Sequence, residues 1–201
     1  MTSTRRFCLP LRTLFAIVGL LCAALLSHPG AAVSAPAVPP QSSLGVCSAI
    51  LYDLDRDAIL FEQNADQRIP PASLTKIMSM FLAMDQINSG LARIDNTTTI
   101  SRNAARTGGS RMGLNENEQV TLEQLLTGMA VSSGNDASTA MAEYVGGSVP
   151  AFINMMNAKA RDLGMRDSYF VHPHGLPAKG QYTTARDMLT LARAYLPAYP
   201  D

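Results

Sequence analysis

A serine and a lysine three positions apart are the first residues of this sequence whose types and spacing could do chemistry. Ser73 and Lys76 lie in the segment PPASLTK at residues 70–76, and residues three apart share one face of a helix. An amine held there could take the proton from a serine hydroxyl that attacks a carbonyl carbon. A plainer interpretation also fits, in which Ser73 caps the helix and Lys76 lies on its surface.

A second polar motif, SSGNDA at residues 132–137, contributes a hydroxyl at Ser133 and a carboxamide at Asn135. The serine–lysine pair followed by this serine and asparagine indicates a catalytic site far more specifically than either motif does alone. A third polar group, His172 and His174, lies in a loop with no nearby cysteine or acidic ligand set. We therefore expect no metal site and no cofactor.

The surrounding sequence predicts the elements that must position these motifs. Two β-favourable runs, at residues 47–52 and 58–63, are separated by a polar turn and predict a hairpin. From Ile77 the apolar spacing predicts a helix that ends near Gly90. Residues 91–119 are a looser region rich in turn-forming residues, and little of it is expected to form a long helix.

The second half of the chain is predicted to be mainly helical. Residues 121–124 (TLEQ) are a capping box that opens a helix leading to the second motif. Further helices are expected from Asp136, from Pro150 and from Thr184, and Pro197 is expected to end the last of them. The methionines of this half are interpreted as core residues.

The N-terminal residues have the pattern of a secretory signal peptide. Arg5, Arg6 and Arg12 precede an apolar run at residues 14–26, with small residues after it. We expect a signal peptide at residues 1–35, a linker at 36–46 and one partial domain at 47–201. The product would cross the inner membrane and be periplasmic, with an uncleaved anchor as the alternative.

The charge and the cysteine content of the exported product bear on nucleic-acid binding and on the state of its cysteine. Three of the 16 basic residues and none of the 16 acidic ones lie in the predicted signal peptide, so the exported product would carry a net charge of −3. That mild acidity gives no support to nucleic-acid binding. Cys47 would be the only cysteine left, and its apolar neighbours predict that it is buried.

Four motifs in order resemble the D-alanyl-D-alanine carboxypeptidases of serine peptidase family S11, the low-molecular-mass penicillin-binding proteins. The resemblance runs from about residue 49 to residue 197 and lies in residues 70–76 (PPASLTK), 132–137 (SSGNDA), 174–176 (HGL) and 180–187 (GQYTTARD).

The resemblance implies a role for each of four residues. Ser73 would be the nucleophile that forms an acyl-enzyme and Lys76 its base, while Ser133 would pass a proton to the departing D-alanine. Asn135 would bind the substrate's peptide amide. The implied partners are a peptidoglycan stem peptide ending in D-Ala-D-Ala and β-lactam antibiotics as acylating inhibitors. A class A β-lactamase would show Ser-Asp-Asn in the second motif.

One part of the family pattern, a Lys-Thr-Gly triplet after the last predicted helix, is absent from the 201 residues. We therefore expect an α+β, β-lactamase/transpeptidase-like fold reduced to its helical half and an N-terminal hairpin, without the C-terminal strands of the sheet. Activity would be impaired, and a catalytically inactive peptidoglycan-binding relic is the alternative. Membrane association is expected only if a C-terminal segment is missing.

Overall fold

The computed structural model describes residues 44–200 of the chain. The predicted signal peptide, residues 1–35, lies outside the described residues, as does the first part of the predicted linker.

The described residues form two pairs of antiparallel strands, the first of which is a hairpin, and six helices. The first hairpin pairs β1 (Ala49–Asp53) with β2 (Ala58–Gln63) and leads through a 3-10 turn (Ala72–Leu74) into the first helix. The elements that follow are α1 (Thr75–Asn88), β3 (Thr97–Thr99), α2 (Arg102–Ala105), β4 (Gln119–Thr121), α3 (Leu122–Val131), α4 (Asn135–Gly146), α5 (Val149–Asp162) and α6 (Ala185–Ala198). None of these helices is long and apolar enough to cross a membrane.

The first hairpin is formed as the sequence predicts. β1 and β2 are antiparallel, and the Asp53 carboxylate closes the turn by accepting the backbone N–H groups of Asp55 and Arg56, both at 3.0 Å. Leu51 and Ile59 remain about half exposed. The prediction for Cys47 is wrong: it is exposed, because it precedes β1 and contacts the Asn64 side chain only through its carbonyl oxygen.

The core lies on two sides of α1. On one side, Ala83 belongs to a cluster with side chains from α3 and α4, including Leu125 and Met141. On the other side, Met78, Phe81 and Leu82 pack with residues of α5 and α6, among them Phe152, Met156 and Leu191. Burying a side chain of this size contributes roughly 1.5–3 kcal/mol. The helix that carries Lys76 is therefore fixed from both sides, and the methionines are core residues as predicted.

Helix boundaries follow the predicted signals, with two exceptions. Thr121 and Gln124 form the predicted capping box, and Gly147 closes α4 in the left-handed conformation. Little of residues 91–119 is helical, as predicted, but the sequence does not predict the four-residue helix α2 or the pairing of β3 with β4 around it. Three-residue strands have too little periodicity to be recognised. Pro197 does not end α6, because it lies in the last turn and the helix continues to Ala198.

The fold class is confirmed as α+β, mostly helical with an N-terminal hairpin.

Candidate active site

Ser73 lies in the 3-10 turn immediately before α1, one residue after a strained position. Ala72 has φ +47, and the Leu74 N–H closes the turn on the Pro71 carbonyl oxygen at 3.2 Å. A left-handed conformation costs a residue with a Cβ roughly 1–2 kcal/mol. The core packing of α1 maintains that strain, which places the exposed Ser73 side chain at the mouth of a cavity.

Lys76 is the second residue of α1 and is almost completely buried, with 2% of its surface exposed. Its Nζ is 3.4 Å from Ser73 Oγ and donates to the His174 carbonyl oxygen at 2.9 Å. Burial lowers the pKa of Lys76 to about 8, because the charged form loses its hydration. The residue is thus suited to the predicted base role.

Ser133 reaches the same point from the turn before α4. Its Oγ donates to Ser73 Oγ at 2.9 Å, and its backbone has φ +52. Among residues 44–200, Ala72 and Ser133 are the two residues other than Asn, Asp and Gly with a positive φ. The two strained positions therefore coincide with the two predicted catalytic turns, where such strain is typical of functional sites.

The three hydroxyl and amine groups border a cavity of about 610 Å³. Apolar side chains form much of its wall, notably Leu74, Ile77, Met80 and Met129. Within the described part of the chain, Lys76 is the one basic residue of the lining. The cavity can accommodate a ligand whose reacting carbonyl lies at Ser73.

Asn135 is placed differently from the other three predicted residues. It is buried at the start of α4, and its Nδ2 donates to the Gly108 carbonyl oxygen at 2.8 Å. It does not contribute to the lining of the catalytic cavity. The structure therefore brings Ser73, Lys76 and Ser133 together, whereas the Asn135 side chain holds the neighbouring loop. Its predicted role in binding the substrate amide stays a prediction.

Asp136 is a supporting residue that the sequence analysis did not identify. Its buried carboxylate accepts the backbone N–H groups of Met112, Gly113 and Leu114, at 2.8, 2.9 and 3.0 Å, and that of Ala137 at 2.9 Å. Burial alone would raise the pKa of Asp136, but these bonds outweigh it and lower the pKa. The carboxylate thereby ties residues 112–114 to the turn that carries Ser133.

A loop at residues 172–176 contacts the turn of Ser73 and the start of α1. The Pro173 carbonyl oxygen accepts from Ser79 Oγ at 2.6 Å, one turn along α1 from the Lys76 contact with His174. His174 Nδ1 accepts the Leu176 N–H at 3.2 Å, and its ring stacks on His172 at 4.9 Å. Burial, with the nearby His172 and Lys76, lowers the pKa of His174 to about 4, so its ring is neutral near pH 7 and can accept that bond.

Comparison with known proteins identifies the family of this chain. Residues 33–201 match the peptidase S11 family, described as D-alanyl-D-alanine carboxypeptidase. The chain belongs to this family. Among its relatives is the D-alanyl-D-alanine carboxypeptidase DacF of Bacillus subtilis, 40% identical over 149 residues, which are 74% of this chain and 38% of the relative.

Solved structures of similar proteins include two from other bacteria. The D-alanyl-D-alanine carboxypeptidase DacD of Francisella tularensis has a TM-score of 0.78 and 43% identity, over 81% of this chain and 40% of that one. Penicillin-binding protein D2 of Listeria monocytogenes, in its ampicillin-bound form, has a TM-score of 0.71 and 26% identity, over 80% and 65%. The S11 chain described here thus spans less than half the length of DacF and of DacD.

Gly175 of this S11 chain is expected to tolerate no side chain, because its loop packs directly on the nucleophile turn. A Cβ there would overlap the Ala72 carbonyl oxygen and lie 2.8 Å from Thr75 Oγ1. We expect Gly175→Ala to lower the free energy of unfolding by about 1–3 kcal/mol beyond its φ strain. Displacing the turn by about 1 Å would slow acylation of Ser73 by a β-lactam by up to ~10²-fold.

Gly180→Ala is the matched control for this prediction. Gly180 has the same φ of +88 as Gly175, but a Cβ on it would meet nothing within 4 Å. Both variants therefore carry the same backbone strain, and only one carries the overlap. Thermal unfolding and acylation rates of the two should differ; equal values would show that the loop does not support the nucleophile turn.

Proposed function

We propose that this chain carries the acyl-transfer site of a serine-type D-alanyl-D-alanine carboxypeptidase that acts on peptidoglycan stem peptides. The observation that carries the proposal is the convergence of Ser73 Oγ, Lys76 Nζ and Ser133 Oγ, with contacts of 3.4 and 2.9 Å to the serine nucleophile. The names of the relatives support the choice of substrate.

The geometry supports a sequence of proton transfers around Ser73. Neutral Lys76 donates one N–H to the His174 carbonyl oxygen, which leaves its lone pair free to face Ser73. It takes the Ser73 proton as Oγ bonds to the carbonyl carbon between the two D-alanines. Ser133 donates its proton to the departing amine as the C–N bond breaks and receives the proton that Lys76 holds, so Lys76 is neutral again. Lys76 then takes a proton from the water that attacks the ester carbonyl, and that proton returns to the Ser73 oxygen as the ester C–O bond breaks.

We further propose that the 201-residue chain alone acts slowly on such peptides. The substrate ends in a carboxylate, and the cavity lining within residues 44–200 offers no basic group besides Lys76. Lys76 must be neutral to act as a base, so it cannot also pair with the carboxylate. Binding of the peptide's C-terminal carboxylate would then depend on contacts weaker than an ion pair. The Michaelis constant for such a peptide should therefore be high.

Release of D-alanine from a pentapeptide ending in D-Ala-D-Ala tests this function. We expect slow release by the purified chain, abolished by Ser73→Ala, and no release of alanine from the same peptide ending in D-Ala-L-Ala. Release that persists in Ser73→Ala would overturn the proposal. An absence of release by the intact chain at any peptide concentration would overturn it equally.

We also propose that the protein is exported and acts in the periplasm. The support is the sequence pattern of basic residues, apolar run and small residues before residue 36. A peptidoglycan substrate, which lies outside the inner membrane, is consistent with that location.

A further inference from the structure

A second cavity, of about 370 Å³, lies beside the C-terminal end of α5 and shares no lining residue with the catalytic cavity. Its wall includes two arginines, two tyrosines and two smaller polar residues: Arg161, Arg166, Tyr169, Tyr182, Asn157 and Ser168. One lining residue, Tyr182, belongs to the family motif at residues 180–187, but the acyl-transfer chemistry proposed at Ser73 does not use this cavity.

The two arginines, Arg161 and Arg166, bring positive charge to this cavity. Arg161 and Arg166 are exposed, and neither forms an ion pair within residues 44–200, whereas Arg68 and Arg186 do. The acid nearest to Arg166 in sequence, Asp167, is bound by Arg68 at 2.7 Å. Asp162 follows Arg161 but does not line the cavity. The two guanidinium groups are thus available to an anionic ligand.

An aromatic wall stands beside these charges and is held in place by its own contacts. The Tyr169 and Tyr182 rings stack with centroids 6.5 Å apart, and their backbones exchange hydrogen bonds of 2.9 and 3.1 Å. The Arg68 guanidinium lies 4.3 Å from the Tyr182 ring. On the other side, the Asn157 carboxamide makes two bonds of 2.8 Å to the Phe170 backbone. These tyrosine and asparagine side chains are therefore already ordered, and a ligand would lose little binding free energy in ordering them.

We propose that this cavity binds the free carboxylate of a peptide. The planar guanidinium groups of Arg161 and Arg166 match a carboxylate in shape and charge, and the tyrosine rings would contact the carbon atoms next to it. The identity of the peptide rests on the proposed function, since a peptidoglycan stem peptide ends in such a carboxylate. One stem peptide held here would tether the polymer while another occupies the catalytic cavity.

Methionine methyl groups allow the two cavities to be observed separately. Met165 lines the second cavity, while Met80 and Met129 line the catalytic one. The experiment is an NMR titration of the chain, labelled with ¹³C at its methionine methyl groups, in a Ser73→Ala background that prevents turnover. The ligands are acetyl-D-Ala-D-Ala, its C-terminal amide and inorganic phosphate, and Met165→Leu assigns the reporter signal.

We expect acetyl-D-Ala-D-Ala to shift the Met165 signal saturably and the uncharged amide to leave it unchanged. The double variant Arg161→Gln, Arg166→Gln should raise the dissociation constant read at Met165 by about tenfold or more, because charge-assisted bonds are lost. The matched control is Arg102→Gln, Arg106→Gln. It removes the same charge from two exposed arginines at α2, which also have no ion pair among the described residues, and should leave the titration unchanged.

Three responses of the Met165 signal would overturn the proposal. They are a Met165 signal that does not respond to the peptide, one that responds equally to the amide, and one that responds equally in the Arg161→Gln, Arg166→Gln variant. Inorganic phosphate that binds more tightly than the peptide would assign the cavity to phosphate and overturn it as well. The Met80 and Met129 signals report binding of the peptide in the catalytic cavity. An absence of binding there can therefore be distinguished from an absence of binding at Met165.

Discussion

Ser73→Ala is expected to abolish covalent labelling by a fluorescent penicillin, because Ser73 carries the hydroxyl that contacts the candidate base Lys76. The alanine lacks the oxygen that lies 2.9 Å from Ser133 Oγ and 3.4 Å from Lys76 Nζ. The side chain is exposed, so the free energy of unfolding should change by no more than about 0.5 kcal/mol. Gel fluorescence and circular dichroism measure the two quantities.

Ser132→Ala provides the control for this loss. Ser132 is also exposed and is the neighbour of Ser133, but it does not line the catalytic cavity. Its variant should be labelled like the unmodified chain. Labelling that survives in Ser73→Ala would assign the nucleophile to another residue.

Lys76→Met is expected to slow acylation by about 10²–10⁴, the contribution typical of a positioned general base. Methionine can occupy the buried space of the lysine stem, but it cannot accept the Ser73 proton. It also leaves the His174 carbonyl oxygen without its 2.9 Å donor, which costs about 1–3 kcal/mol and is offset by removing a buried amine. Stopped-flow or time-resolved mass measurements of penicillin adducts give the rates.

Two further variants separate the base from its charge. Lys76→Arg keeps a cation that cannot lose its proton near neutral pH, and we expect it to be as slow as Lys76→Met. Lys179→Met removes an exposed lysine from the loop region that follows residues 172–176 and should leave the rate unchanged. A Lys76→Met rate within about tenfold of the unmodified chain would be too small an effect for a general base.

Local sequence signals predict the parts of the site that depend on one helix. The three-residue spacing of Ser73 and Lys76 predicts that they lie on the same side of the helix start, and the apolar spacing after them predicts that α1 forms. The capping box at Thr121 likewise determines where α3 begins, and α3 leads to the turn of Ser133. These features need no long-range information, which explains why they are correct.

The supporting contacts could not be predicted, because they join distant parts of the chain. Gly175 contacts Ala72, from which more than one hundred residues separate it in the sequence, and no signal in either segment predicts that contact. Asp136 could have been noticed as an acid in the first turn of a helix, but its bonds to residues 112–114 depend on how that loop folds back. The orientation of Asn135 is a choice between side-chain rotamers, made by the Gly108 carbonyl oxygen.

The pH dependence of Ser73 acylation tests the serine–lysine pair most directly. Lys76 acts as a base only when neutral, and burial lowers its pKa to about 8. The rate should therefore rise with pH, fall about tenfold for each pH unit below the inflexion, and level off above it, with the inflexion near pH 8. The slow Lys76→Met variant should show no such inflexion. An inflexion near the ~6.5 of an ordinary histidine or the ~10.4 of an ordinary lysine would contradict the assignment of a buried Lys76 as the base.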